Sequence, residues 1–156
     1  MSCRGSKPVT IAVCPRTLAS MLWEPEHRGA QDAVEHIEVR IYWNAPTRED
    51  DVESEIALIA RGVALNDEGT VLTPNQSLAL MTPVRRALSH GLPIVIGSSA
   101  KSILAGGELS HIINDEEEGG RIAARHVALL LHGKCSIVIL GINPNVAGIM
   151  VPAWNF

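Results

Sequence analysis

Short apolar runs alternate with stretches of helical periodicity along most of the chain, and this alternation constrains the fold more than any other feature. The predicted strands are residues 9–14, 38–43, 70–74, 93–98, 107–115 and 135–144. The predicted helices are residues 20–35, 48–62, 78–91 and 117–133. Strands that alternate with helices indicate βαβ units and a parallel sheet covered on both faces. We therefore predict a three-layer α/β fold with a mostly parallel sheet, whose first four strands take the order 2-1-3-4.

The second helix carries the clearest end signals. Thr47 is a candidate N-cap, because acidic residues follow it in what would be the first turn. Gly62 stands where a helix with this apolar spacing would end.

Size and charge exclude several classes of protein. The chain has 156 residues, of which 46% are hydrophobic, and this suits one ordinary globular domain. The net charge of −4 gives no electrostatic footprint for nucleic acid. No apolar run reaches the roughly 18 residues that a membrane span needs. Cys3, Cys14 and Cys135 are widely spaced and odd in number, which favours free thiols over a disulfide framework or a zinc site.

Ligands of parallel sheets bind beyond the carboxyl ends of the strands, where the strand order reverses. The segments that follow the predicted strands are residues 15–23, 44–47, 73–77, 97–99, 114–116 and 142–145. They contain amides, hydroxyls, carboxylates and one Trp, which are groups that hydrogen-bond neutral polyols and stack on sugar rings. The same residue types are also ordinary in loops and helix caps. For Trp23, a stacking platform and a core anchor both stay open.

Motifs for catalysis are missing from the sequence. The acidic run at residues 116–118 is typical of a solvated first helical turn rather than of paired catalytic carboxylates. The six histidines lack metalloprotease spacing, and neither a phosphate-binding glycine loop nor a Gly-x-Ser-x-Gly elbow is present. We therefore predict a protein that is not an enzyme, with no catalytic residue, metal or cofactor.

Four stretches, taken in order, resemble the first half of type I periplasmic-binding-protein-like domains. They are VTIAVCPRTLASMLWEPEHRGAQDAV, IALIARGV, VLTPNQSLALMTPVRRALSHGLPIVI and SHIINDEEEGGRIAARHVALLLHGKCSIVILG. Such domains occur in sugar ABC-transporter receptors and in lactose-repressor-family regulators. The likeness spans about residues 9–141, and its most specific part joins Asp115 to a Gly-Gly-Arg-x-Ala-Ala helix start.

The resemblance implies one wall of a small-molecule cleft. In that interpretation Trp23 stacks on the ligand and the other residues hydrogen-bond its hydroxyls. The implied ligand-binding residues are Ser20, Trp23, Gln76, Ser77, Ser98 and Asp115.

Several positions depart from the family's usual pattern. Ser20 and Met21 replace Asn and Pro ahead of the first helix, and Gln76 replaces an Asp. An Asp-Arg pair after the fourth strand becomes Ser98-Ser99, with the loss of both charges. These departures leave the identity of the sugar open.

The family has two lobes joined by three crossings, and the resemblance implies that this chain covers only part of them. Residues 8–110 would form the first lobe, still incomplete, and residues 111–156 the first part of the second. The first crossing is expected near residues 110–113, which makes His111 a hinge residue rather than a catalytic one. A half-lobe of this kind exposes apolar surface, so either the chain is a truncated piece of a longer protein or it forms a homodimer.

The resemblance implies two functions. The leading hypothesis is non-enzymatic binding of a small carbohydrate or related polyol, as the substrate-binding component of a sugar transport system with ABC-transporter membrane subunits as partners. The alternative is the effector-sensing domain of a lactose-repressor-family regulator without its DNA-binding headpiece, so that this chain itself would not contact nucleic acid. The first function implies a periplasmic location behind a signal peptide that is not seen here, and the second a cytoplasmic one.

Overall fold

A computed structural model describes residues 8–48, 50–97, 109–132 and 136. The strands are β1 (Val9–Cys14), β2 (Val39–Trp43), β3 (Gly69–Leu72), β4 (Ile94–Gly97) and β5 (Leu109–Ile112). The helices are α1 (Glu24–Val34), α2 (Val52–Leu65), α3 (Ser77–Ser89) and α4 (Glu116–Leu130), and a 3₁₀ turn (Met21–Trp23) precedes α1.

The five strands form one parallel sheet in the order β2-β1-β3-β4-β5. The predicted order of the first four strands is confirmed, and β5 extends the sheet beyond β4. β1 lies between β2 and β3, pairing Val13 with Trp43 of β2 on one side and with Val71 of β3 on the other. Since β2 and β3 flank β1 on opposite sides, the strand order reverses between β1 and β3.

The main core lies between one face of the sheet and helices α2 and α3. Alternate strand residues point to this face, as the two-residue period of a strand requires. Ile59 of α2 and Leu80 of α3 pack there in the same buried cluster as Leu72, Ile94 and Ile96. These side chains are at most 2% exposed, so the cluster is the best-shielded part of the described chain.

Helix α1 covers the opposite face of the sheet near β2. The His27 ring of α1 stacks on Trp43 of β2, with ring centroids 4.4 Å apart and an interplanar angle of 21°. Trp43 is the register partner of Val13, and Val13 points away from the cluster that contains its neighbours Ala12 and Cys14. Helices therefore lie on both faces, which gives the predicted three layers.

The ends of α2 differ from the sequence prediction. Asp51, rather than Thr47, is the N-cap, because its side chain accepts hydrogen bonds from the backbone N–H of Ser54 at 3.0 Å and from the Ser54 hydroxyl at 2.8 Å. The helix continues through Gly62 and ends at Asn66, whose φ of 51° lies in the left-handed region. Gly62 instead packs closely against Leu92, since a Cβ there would lie 3.2 Å from Leu92 Cδ2.

The first predicted helix, residues 20–35, is divided into the 3₁₀ turn and α1. Pro25 stands in the first turn of α1, where its missing N–H costs no helical hydrogen bond. The predicted sixth strand, residues 135–144, lies outside the described residues except for residue 136.

The chain divides into two compact units after Ile112. The first unit contains the whole sheet with α1, α2 and α3, and His111 lies in its last strand. Within the described residues the second unit is represented by α4, which Asp115 caps by accepting a hydrogen bond from the Glu118 N–H at 2.9 Å. None of the helices in the described ranges combines the length and apolarity that crossing a bilayer requires.

Candidate functional site

The loops after β1, β2 and β3 meet at the carboxyl edge of the sheet, where the strand order reverses. The β1–α1 loop (residues 15–20) is tied to the segment after β2, because the Leu18 N–H donates to the Pro46 carbonyl at 2.9 Å. The β3–α3 loop (residues 73–76) is anchored to β1 by the Thr73 N–H, which donates to the Cys14 carbonyl at 2.9 Å. These bonds fix the backbone of all three loops at one edge.

Asn75 joins three elements at this edge. Its side-chain amide donates to the Arg16 carbonyl at 3.0 Å, across to the β1–α1 loop. Its backbone N–H donates to both carboxylate oxygens of Glu55, at 3.1 Å and 3.3 Å. Since Glu55 lies in the first turn of α2, one asparagine holds together the loops after β1 and β3 and the start of α2.

Glu55 is a buried carboxylate with an altered titration. Its side chain is only 1% exposed. Burial raises the pKa of Glu55 to about 7, while the Asn75 hydrogen bonds and the positive charge of Arg16 lower it in part. The group therefore changes charge near neutral pH.

A second carboxylate, that of Glu26 in α1, lies at the same edge but on the opposite face of the sheet. It is half-buried, and it is hydrogen-bonded to the side chain of Thr73, the first residue after β3. Burial raises the pKa of Glu26, and the Thr73 hydrogen bond lowers it in part. Thr73 also packs closely against the end of β4, because a Cβ on Gly97 would lie 3.0 Å from Thr73 Oγ1.

Of the residues predicted from the sequence, Ser20 is the N-cap of the 3₁₀ turn and Trp23 is its last residue. The Ser20 hydroxyl accepts a hydrogen bond from the Leu22 N–H at 3.2 Å and so caps this turn. Trp23 is half-buried, and its indole N–H is shielded with no hydrogen-bond partner among the described residues. Only part of the indole ring therefore reaches the surface, next to the strongly exposed Met21 and Leu22.

Gln76 is the last residue of the β3–α3 loop, and Ser77 is the first residue of α3. Gln76 is the N-cap residue by backbone position, but its exposed side chain makes no capping hydrogen bond. Ser77 is 8% exposed and is the first residue of α3. The Asn75–Arg16 hydrogen bond thus joins the loop that precedes Trp23 to the loop that carries Gln76.

Two predicted site residues are not brought to this edge by the described structure. Ser98 lies outside the described residues. Asp115 belongs to the second compact unit, and its carboxylate caps α4 there. Their roles in ligand binding stay predictions.

Metal binding and thiol chemistry find no support at the described edge. The described ranges hold no group of three or more His, Cys, Asp or Glu side chains placed to bind a metal ion. Cys14, at the end of β1, is a buried free thiol, and burial together with the negative charge of Glu55 raises its pKa to about 12. A thiol with that pKa is protonated at neutral pH and a poor nucleophile.

Sequence reasoning missed Glu26, Glu55 and the bridging role of Asn75. For Glu55 a signal was present, because Glu55 interrupts the apolar spacing that runs from Val52 to Ile59 on α2. A carboxylate on an apolar helix face needs a partner, and here the partner is a backbone N–H 20 residues away in the chain.

A separate apolar groove of about 320 Å³ runs between α2 and α3. Its lining residues come from the middle and the carboxyl-terminal parts of both helices and include Ile56, Ala60, Pro83 and Arg86. The carboxyl edge of the sheet lies at the amino-terminal ends of these helices, so the groove is separate from the loops described above.

Comparison with known protein families gives a match over most of the chain. Residues 11–148 match the family described as Periplasmic binding protein domain, which is most of the chain. No significant match was found among curated protein sequences.

Solved structures of solute-binding proteins share the fold. One, from Actinobacillus succinogenes with bound D-allose, has a TM-score of 0.77 at 21% identity over 88% of this chain and 50% of its own. A second, from Agrobacterium vitis with bound α-D-tagatopyranose, has a TM-score of 0.75 at 21% identity over 90% of this chain and 49% of its own.

A third structure, a carbohydrate transporter solute-binding protein from Agrobacterium radiobacter in complex with D-arabinose, has a TM-score of 0.74 at 25% identity. The match covers 93% of this chain and 50% of that protein. The chain thus spans about half the length of the solved structures that it matches.

Proposed function

Because the chain belongs to the periplasmic binding protein domain family, we propose that it binds a small carbohydrate or related polyol without chemical conversion. The observation that carries this proposal is the junction of two loops at the carboxyl edge of the sheet, where Asn75 bonds to the Arg16 carbonyl. One loop leads to Trp23 and the other carries Gln76, so a ring-stacking surface and a free amide lie on neighbouring loops.

The proposed ligand wall consists of the residues predicted from the sequence together with Glu26. Trp23 offers an indole ring, and Gln76 offers an exposed amide with no capping bond to break. The Glu26 carboxylate, three residues after Trp23, is a further acceptor for ligand hydroxyls. Ser20, Ser77, Ser98 and Asp115 remain members of the proposed wall, with Ser20 and Asp115 also serving as caps.

The biological setting is a proposal that follows from the solved structures. Proteins bound to D-allose and D-arabinose are described as solute-binding proteins of transporters. By this analogy the chain would act as the substrate-binding component of a sugar transport system and deliver its ligand to ABC-transporter membrane subunits. Residues 8–110 would form most of one lobe and residues 111–156 the start of the other.

The test is a titration of the full chain with D-allose, D-arabinose and D-tagatose, followed by tryptophan fluorescence and amide chemical shifts. We expect weak binding, with Kd on the order of 1 mM, because a single ligand wall excludes little water. Gln76→Ala should weaken binding about threefold to tenfold by removing one hydrogen-bond partner. Gln31→Ala is the matched control, since Gln31 is an exposed glutamine of α1 whose amide bonds to His27.

Two outcomes would contradict the proposal. One is the absence of any sugar-dependent shift in the amides of residues 20–23 and 73–77. The other is an equal loss of binding in the Gln31 variant, which would mean that the effect is not local to the proposed wall. The regulator alternative differs in what adjoins the chain: a DNA-binding headpiece upstream would favour it, and a signal peptide would favour the transport role.

A further inference from the structure

We propose that Glu55 is a positioning residue that sets the order of the β3–α3 loop through Asn75, and that its protonation loosens this loop. The proposal deepens the function proposed above, because Gln76 and Ser77 of the ligand wall follow Asn75 directly. It makes the geometry of a binding wall depend on one buried carboxylate that touches no ligand.

Hydrogen bonds from two directions converge on Asn75. Both carboxylate oxygens of Glu55 accept the Asn75 N–H, at 3.1 Å and 3.3 Å, and the Asn75 amide then reaches the Arg16 carbonyl at 3.0 Å. Glu55 is 1% exposed, so water does not replace these bonds when they weaken. The loop is therefore held from α2 on one side and from the β1–α1 loop on the other.

Three titratable or charged groups act on Glu55 from the elements around it. β1 contributes the Cys14 thiol, which is neutral because its pKa is raised to about 12. The β1–α1 loop contributes the positive charge of Arg16, and α2 contributes the negative charge of Asp51. With one cation and one nearby acid acting in opposite senses, burial has the largest effect and raises the pKa of Glu55 to about 7.

Protonation changes what Glu55 offers to the loop. An ionised carboxylate accepts the Asn75 N–H with both oxygens, and a charge-assisted hydrogen bond is about twice as strong as a neutral one. The protonated acid keeps one good acceptor oxygen, but its O–H is a donor and does not accept a hydrogen bond from the Asn75 N–H as readily. As pH falls through about 7, the Asn75 bond should weaken and the loop should loosen.

The test measures loop order in the full chain without ligand. Amide hydrogen exchange of residues 73–77, corrected for the intrinsic pH dependence of exchange, should show protection of the Asn75 N–H rising about fivefold to tenfold between pH 5.5 and 8.5. Glu55→Gln keeps the size and one acceptor but does not titrate, so its protection should be flat. Glu53→Gln, an exposed position on the same helix, is the matched control and should titrate like the unaltered chain.

Sugar affinity provides a second, separable readout. Where D-allose or D-arabinose binds, its affinity should fall severalfold between pH 8 and pH 6 in the unaltered chain and stay constant in Glu55→Gln. Asn75 protection that does not change with pH in the unaltered chain would overturn the proposal, and so would sugar affinity equally pH-dependent in both proteins. If the loop titrates but neither sugar binds at any pH, the positioning role of Glu55 is supported and the proposed sugar binding is contradicted.

Discussion

The carboxylate of Glu55 illustrates how one residue can favour the local loop and oppose the global fold. In the folded chain burial raises its pKa from 4.5 to about 7. Between these values the folded state holds a proton that the unfolded state has lost. The stability that the raised pKa of Glu55 contributes to the folded state is therefore complete below about pH 4.5 and is lost as pH rises through about 7. Over the same pH range the hydrogen bond from Asn75 to the Glu55 carboxylate should strengthen.

We predict that the free energy of unfolding falls by roughly 1–3 kcal/mol between pH 5 and pH 8 because of Glu55. Glu55→Gln should lose this part of the pH dependence and be the more stable protein at pH 8. The raised pKa of Glu26 acts in the same direction, so the comparison of the variant with the unaltered chain isolates Glu55. Urea unfolding followed by circular dichroism measures it, and identical pH profiles for both proteins would contradict it.

The ion pair between Arg61 and Asp67 is a second interaction in which burial determines the effect of a single residue on stability. Asp67 is 7% exposed, and Arg61 Nη1 lies 2.8 Å from its Oδ2 while the guanidinium stacks 3.4 Å above the Tyr42 ring centroid. Arg61→Ala would leave a buried carboxylate without this partner, so we expect a loss of roughly 2–4 kcal/mol in unfolding free energy.

Arg48→Ala is the control for Arg61. Its ion pair with Asp50 is exposed on both sides, so its removal should cost less than about 1 kcal/mol. Equal losses in the two variants, measured by urea unfolding, would show that burial does not decide the strength of these pairs.

At the level of the elements, the caps decide where helices begin. Asp51 accepts two hydrogen bonds from Ser54, and both lower the pKa of its carboxyl group. Thr47 is a residue type that often caps helices, but it is exposed and stands five positions before the first residue of α2. Sequence pattern placed the start of this helix too early because several residues near it can cap a helix.

We predict that Asp51→Ala lowers the melting temperature by a few degrees, whereas Thr47→Ala leaves it unchanged. The Asp51 effect should shrink in acid, because protonation of a carboxyl group whose pKa is lowered in the folded state removes stability as pH falls. Thermal unfolding at pH 7 and pH 3 would check both parts. A larger decrease in melting temperature for Thr47→Ala than for Asp51→Ala would contradict this prediction and favour Thr47 as the N-cap of α2.

At the level of the whole molecule, stability rests on the layer between the sheet and helices α2 and α3. Leu80 of α3 has no exposed surface, whereas Leu78, two positions earlier on the same helix, is 74% exposed. Leu80→Ala should lower the free energy of unfolding by about 2–5 kcal/mol. Leu78→Ala should change it by less than about 0.5 kcal/mol. Similar effects in both, by urea unfolding, would mean that the core lies elsewhere.

The alternation of apolar runs and helical periodicity predicted the layers and the parallel sheet, and the predicted order of the first four strands agrees with the structure. Strands β1 to β4 and helices α2 and α3 lie close to their predicted positions, because burial on both faces of a parallel sheet leaves a strong local pattern. The helix ends at Thr47 and Gly62 were wrong, since capping and close packing depend on partners distant in the chain.

For the candidate site, the sequence determined which segments follow the strands, and the resemblance named Trp23 and Gln76 within them. Only the tertiary structure decided that Glu55 and Glu26 flank the same edge from opposite faces, and that Asn75 ties the loops together. Those contacts join residues 20 and 59 positions apart. No local pattern encodes such a separation, because it arises only when neighbouring strands bring their ends together.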